Sequence, residues 1–409
     1  MSLWDQLEDE DNDSSFELGI GKALTSVTDT PSHNHVANKD PMRLLTVGDN
    51  NYSELENSIL TSLQNRELIK GGVVNVGAER ITPETKRIIG GSSDVNQLIP
   101  FKYEWAWQKY LDACANHWMP TEINMNEDIR QWKDPDFLLP EERWLIESSL
   151  GYFSTADSIV VNNVVLNIYK RITAPECRQF LLRQAFEEAM HTHSYQYCIE
   201  SLGMDQGKIF NLYREQPSMI IKDNWCFEFE RKLNDPNCND QDFLENLIGY
   251  YLMTEGLFFY CGFSSIFSMG RRQRMPGICE QFQYILRDES MHLNFGVDVI
   301  NQIKQENPHL WTPALQRRVR EIIAEGRLIE TAYAKDLIPN GLPGMNIKMM
   351  TDYLGSISNR RCEQVGVPAV SKAVENPFPW MAEMIDLRKE KNFFETRVTD
   401  YQTGGAIKW

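Results

Sequence analysis

Apolar residues recur at helical spacing along most of the chain from Phe101 onward, and strand-like alternation is sparse. The pattern predicts a helix from about Glu141 to Lys170. A second opens at Ala174-Pro175 and stops at Gly203, and a third runs from about Asp240 to Met269. A fourth starts near Pro276 and ends before Pro308, and a fifth opens at Thr312-Pro313. Proline in a first turn and glycine after a last turn are start and stop signals. Thr312 is a side-chain cap followed by proline at the first helical position. Helices of about 30 residues exceed a globular mean of about 11–12. In series they predict an all-α bundle of long helices with extra helices around it.

The ends read differently. Residues 1–45 are polar, without a period, and are expected to form a disordered arm. Residues 50–100 mix a short helix with glycine-flanked apolar pieces such as Gly72-Val73-Val74, so minor short strands are expected near the N-terminus. A single helical domain is expected over 46–395, with a flexible tail over 396–409.

One segment imitates a membrane span. From Leu247 to Met269 the sole charged residue is Glu255. A central acid costs about 2.5–3.5 kcal/mol on insertion scales. A helix buried on all sides in a large protein core is the preferred reading, and its acid then needs a partner.

Charge and composition narrow the function. The formal charge is 41 − 58 = −17, which argues against a nucleic-acid surface. The eight cysteines are scattered without a CxxC pair, so neither a zinc site nor a disulfide framework is indicated. The acidic N-terminus lacks an apolar signal core. A reducing cytoplasm is the expected location.

The second and fourth helices carry Glu188-Ala-Met-His191 and Glu289-Ser-Met-His292. Glu-x-x-His puts both side chains on one face, one turn apart, where both can grip one ion. Coincidence could supply one such match among seven histidines. A third, Glu306 to His309, contains Pro308 and is discarded. Two lone acids sit in apolar helical stretches, Asp157 and Glu255. Taken singly, each would be a hydrogen-bonded core acid or an edge residue. Together, four helices offer Asp, Glu-x-x-His, Glu, Glu-x-x-His, the carboxylate-bridged two-metal pattern. Four carboxylates balance two divalent cations, so the cluster can be buried neutral. Oxygen-rich ligation with two imidazoles suits iron or manganese better than zinc or copper. His193 lies on another face than His191 and is not taken as a ligand.

Tyr195 follows His191 by one helical turn. Phe259, Phe263 and Ile285 sit at helical spacing from Glu255 and Glu289 and are expected to make the neighbourhood apolar. Such a stripe is usually only core. Here it would also shield a phenoxyl radical from water.

At this point a resemblance emerges. Asp157, Glu188-x-x-His191-x-x-x-Tyr195, Glu255-Gly-Leu-Phe-Phe and Arg287-Asp288-Glu289-x-x-His292 resemble the motifs of the class I ribonucleotide reductase small subunit. So do Trp118-Met-Pro-Thr-Glu, Asn392-Phe-Phe-Glu-Thr-Arg-Val398 and Asp400-Tyr401-Gln402. The resemblance implies a ferritin-like fold. It implies that Asp157, Glu188, His191, Glu255, Glu289 and His292 ligate two iron ions, with manganese or a mixed manganese–iron pair as the alternative loading. It implies a stable radical on Tyr195, activated by O2 and an electron donor. Asp288 would hydrogen-bond a ligand imidazole and link it to Trp118, and Tyr401 would relay the oxidising equivalent to a large subunit. A homodimer docked on that subunit through the C-terminal tail is implied, with Trp409 an apolar anchor. A desaturase-like or hydroxylase-like diiron oxidase is the rival enzyme, and a ferritin-like iron store the rival binding protein. Neither gives Tyr195, Trp118 and Tyr401 a joint purpose.

Overall fold

The computed structural model describes residues 82–91, 98–162, 167–373 and 375–381. The chain divides into two units, Met1–Ala78 and Glu79–Trp409, and every described residue lies in the second. The arm over 1–45, the tail over 396–409 with Tyr401 and Trp409, and most of 46–95 lie outside the described residues.

The described residues are mostly helical. Their longer helices are α1 (Glu104–Ala115), α2 (Asn126–Lys133), α3 (Pro140–Asn162), α4 (Pro175–Leu202), α5 (Gln206–Glu215) and α6 (Pro217–Asn234). They continue with α7 (Asp240–Gly249), α8 (Tyr260–Gly270), α9 (Pro276–Glu306), α10 (Pro313–Leu337) and α11 (Ile347–Val365). The described part of the N-terminal stretch contains no strand. It holds one isolated bridge, Ile89 to Ile172, and the Gly72-Val73-Val74 piece on which the expectation of short strands rests lies outside the described residues.

The boundaries follow local chemistry. Pro175 and Pro276 open α4 and α9 at their first turns, where the missing N–H costs nothing. Gly203 ends α4 at φ 67°, a left-handed conformation that a side chain would strain. Thr312 caps α10 by accepting from the Leu315 amide. Asn239 and Asp242 form a reciprocal capping box on α7.

Four sides close the central bundle. α3 packs on α4, α4 on α9, α9 on α7 and α8, and α8 back on α3. α1, α5, α6, α10 and α11 pack around it. Gly262 lets α8 approach α3, since a Cβ there would stand 2.5 Å from the Phe153 ring.

The expected third long helix is not continuous. α7 gives way to a π-helical stretch, Tyr250–Thr254, and then to turns before α8 begins. The Glu255 amide bonds to the Tyr250 carbonyl and the Phe258 amide to the Met253 carbonyl, both one residue longer than an α-helical bond. Residues 246–269 are buried without exception, so this segment is core on every side. No described helix is long and apolar enough to cross a membrane.

Candidate metal centre

The bundle brings Asp157 from α3, Glu188 and His191 from α4, Glu255 from the π-helical turn, and Glu289 and His292 from α9 to one point. All six are at most 2% exposed. Two overlapping ligand groups result: Asp157, Glu188, His191 and Glu289, and then Glu188, Glu255, Glu289 and His292. Glu188 and Glu289 belong to both.

The distances show how the sharing works. Glu188 sets Oε2 3.3 Å from His191 Nδ1 and Oε1 3.1 Å from His292 Nδ1. Glu289 does the same, with Oε1 3.2 Å from His191 Nδ1 and Oε2 3.2 Å from His292 Nδ1. Each of these carboxylates therefore spans both imidazoles. The other two acids are terminal. Asp157 Oδ2 lies 3.6 Å from His191 Nδ1, and Glu255 Oε2 lies 3.7 Å from His292 Nδ1.

The residues fit a pair of divalent cations. Both Asp157 oxygens and Glu255 Oε2 are buried without a hydrogen-bond partner, an arrangement that is costly unless something positive sits among them. Burial alone would lower both imidazole pKa values. The carboxylates around His191 and His292 outweigh it and hold them well above the usual range. Burial, and next the Glu188 charge, push the Asp157 and Glu289 carboxyls well up. Burial also acts upward on Glu188, yet His292 and His191 bring it down to about 2. Protons thus supply the charge compensation that two cations would supply, and cation binding would release them.

Each imidazole is held from behind by an acid on the opposite helix. His191 Nε2 is 3.1 Å from Asp288 Oδ2, and His292 Nε2 is 2.9 Å from Glu187 Oε2. Asp288 and Glu187 each immediately precede a Glu-x-x-His glutamate, so the two helices exchange supports. Asp288 also accepts from Trp118 Nε1 at 2.9 Å and from the Asn116 amide. Glu187 pairs with Arg183 at 2.9 Å, and Arg183 donates to the Asn116 carbonyl at 3.1 Å. Asn116 therefore joins the two supports. Such outer hydrogen bonds fix ring orientation and raise imidazole basicity. Sequence reasoning named Asp288 and Trp118 but missed Glu187, Arg183 and Asn116. The available signal was the acid directly before each Glu-x-x-His.

Glu255 is anchored by its other oxygen. Oε1 accepts from Gln184 Nε2 at 3.1 Å and from the Tyr250 hydroxyl, which leaves Oε2 to face the cluster. Neither partner was foreseen.

Tyr195 is fully buried. Its hydroxyl faces Asp157 and has no hydrogen bond of ordinary geometry. Burial, and then the Asp157 charge, raise the phenol well above its ordinary pKa, so it stays protonated. Phe153 and Phe282 flank the ring at centroid distances of 5.7 and 5.8 Å. Phe259 and Phe263 pack on Phe153 at 5.2 and 5.3 Å, and Ile285 is buried in the same core. The expected apolar stripe thus backs the box, while the walls nearest Tyr195, Phe153 and Phe282, went unnoticed. Trp118 stacks on His191 at 6.3 Å and on Tyr284 at 5.3 Å. His193 is exposed on another face of α4.

Comparisons with known proteins agree with this architecture. Residues 95–377 match the family model described as ribonucleotide reductase, small chain. The chain is 52% identical over 322 residues to the ribonucleoside-diphosphate reductase subunit beta of Chlamydia pneumoniae, covering 77% of this chain and 92% of that one. It is 31% identical over 341 residues to the human ribonucleoside-diphosphate reductase subunit M2, covering 80% and 83%. The solved ribonucleotide reductase R2 subunit from Clostridium botulinum superposes with a TM-score of 0.70 at 27% identity, covering 77% and 98%. With the helical bundle, the shared carboxylates and these matches in hand, the chain belongs to the ribonucleotide reductase small-chain family.

Proposed function

We propose that this chain is the radical-generating small subunit of a ribonucleoside-diphosphate reductase, with Asp157, Glu188, His191, Glu255, Glu289 and His292 holding two iron ions beside an oxidisable Tyr195. The observation that carries the reading is the shared use of Glu188 and Glu289 by two buried candidate ligand groups next to a buried phenol whose hydroxyl faces Asp157. Carboxylate-rich ligation with one imidazole per site suits iron, and manganese would bind the same donors. When bound, the metal pair supplies O2 reduction and the oxidising equivalent that takes an electron from Tyr195.

The chain's own groups do the rest. Burial keeps the Tyr195 proton in place until oxidation, and the Asp157 carboxylate that its hydroxyl faces is the acceptor when the proton leaves. Phe153 and Phe282 exclude water from the ring, which prolongs a phenoxyl radical. Asp288 joins His191 to Trp118 through contacts of 3.1 and 2.9 Å, a hydrogen-bonded lead out of the centre. Tyr401 would extend it toward a large subunit that binds the nucleotide. Homodimerisation, docking through the C-terminal tail and a cytoplasmic location belong to the same proposal.

Electron paramagnetic resonance after adding Fe(II) and O2 to the metal-free protein tests it. A tyrosyl signal is expected, and Tyr195→Phe should abolish it while iron binding persists. An unchanged signal in that variant would remove Tyr195 from its role.

A further inference from the structure

The six ligand side chains are sealed inside the bundle, so cations must cross protein to reach them. Between α6, α3 and the π-helical turn lies a cavity with about 20 Å³ of space for water-sized occupants, enough for one ion or a water or two. One wall is α6, which contributes Asp223, Cys226 and Glu230 at i, i+3 and i+7, with Phe229 beside them. The opposite walls are Tyr152, Ala156 and Val160 of α3 and Tyr250 and Thr254 of the π-helical turn. Ala156 immediately precedes Asp157, and Thr254 immediately precedes Glu255. Tyr250 also donates to Glu255. The Tyr250 hydroxyl is thus the link from the cavity wall to a candidate ligand, and Glu230 is more exposed than the buried Asp223.

Asp223 is 5% exposed, and its Oδ2 has no hydrogen-bond partner. Leaving a buried carboxylate oxygen unpaired costs free energy that a passing cation would recover. Its neighbour Lys222 does not neutralise it, because Lys222 is committed to Glu330 at 2.6 Å and to the Phe258 carbonyl at 2.7 Å. Cys226 Sγ and Thr254 Oγ1 lie 3.7 Å apart across the cavity and add softer donors.

We propose that this cavity is a transit site for the divalent cations that load the buried centre, with Asp223 and Glu230 as its carboxylate donors. The two acids concentrate cations at the mouth and replace water ligands one at a time as the ion sheds its shell. The proposal rests on the two-metal reading of the buried cluster.

The test follows Mn(II), added alone to the metal-free full-length protein, by loss of the free aqueous Mn(II) resonance signal. The Asp223→Asn/Glu230→Gln variant should take up Mn(II) about tenfold more slowly, the low end of electrostatic steering effects, and still reach the wild-type stoichiometry. Glu230→Lys, at a half-exposed position where folding is least at risk, should slow uptake on its own. The wild-type rate should fall more steeply with ionic strength than the variant's. Uptake at the wild-type rate in both variants overturns the proposal. A lower final stoichiometry at an unchanged rate also overturns it, because the acids would then hold ions rather than deliver them. Failure of the wild type to bind Mn(II) at all would instead sink the two-metal reading.

Discussion

Replacing Glu187 tests how much of the centre depends on a residue that touches no candidate cation position. Its Oε2 lies 2.9 Å from His292 Nε2 and its Oε1 2.9 Å from Arg183 Nε, at 1% exposure. Glu187→Gln keeps a carbonyl that can accept from the imidazole but loses the charge that polarises it. Glu187→Ala loses both and leaves Arg183, only 16% exposed at its side chain, without its carboxylate. Removing an outer-sphere partner costs about 10–100-fold in metal affinity, or roughly 1.4–2.8 kcal/mol. The glutamine variant should fall near the lower figure and the alanine variant near the upper. The exchange of supports between helices makes the effect site-specific. Glu187 variants should weaken the ion held by His292, and Asp288→Asn the ion held by His191. Competition with a chelator of known affinity, read as a two-site Mn(II) titration, separates the steps. Equal weakening of both sites by either variant, or none, would refute the reasoning.

Two further perturbations address the buried charges on α6. Lys222 and Glu330 are both fully buried and 2.6 Å apart, so Lys222→Met strands Glu330 and should cost about 3–5 kcal/mol, with Glu330→Leu restoring much of it; a denaturant titration showing additive losses would contradict the pairing. Burial raises the Asp223 carboxyl from 3.8 to about 7, so the folded chain holds a proton there that the unfolded chain releases. Stability from this group is therefore present below the unfolded value and is lost as pH rises through the folded one. Asp223→Asn should be more stable than the wild type by a few kcal/mol near pH 8, with the advantage vanishing near pH 4. Thermal melts of both proteins across that range that run parallel would contradict it.

What the sequence determined is what short-range spacing encodes. Proline at first turns, Gly203 after α4 and Thr312 before α10 mark helix ends, because capping and backbone freedom are properties of a few adjacent residues. The i, i+3 spacing of Glu188 with His191 and of Glu289 with His292 puts each pair on one helix face, since 3.6 residues make a turn. The sequence did not reveal the π-helical turn at Tyr250–Thr254. It replaces the expected continuous helix, and no apolar period distinguishes the two. Only the tertiary structure decided which acid supports which imidazole, that Phe153 and Phe282 wall Tyr195, and that Asn116 links Glu187 to Asp288. Those partners lie up to 172 residues apart, as Asn116 and Asp288 do. Contacts between helices depend on how ridges and small residues such as Gly262 let them approach, and a single strand of letters read for periodicity carries no record of that distance.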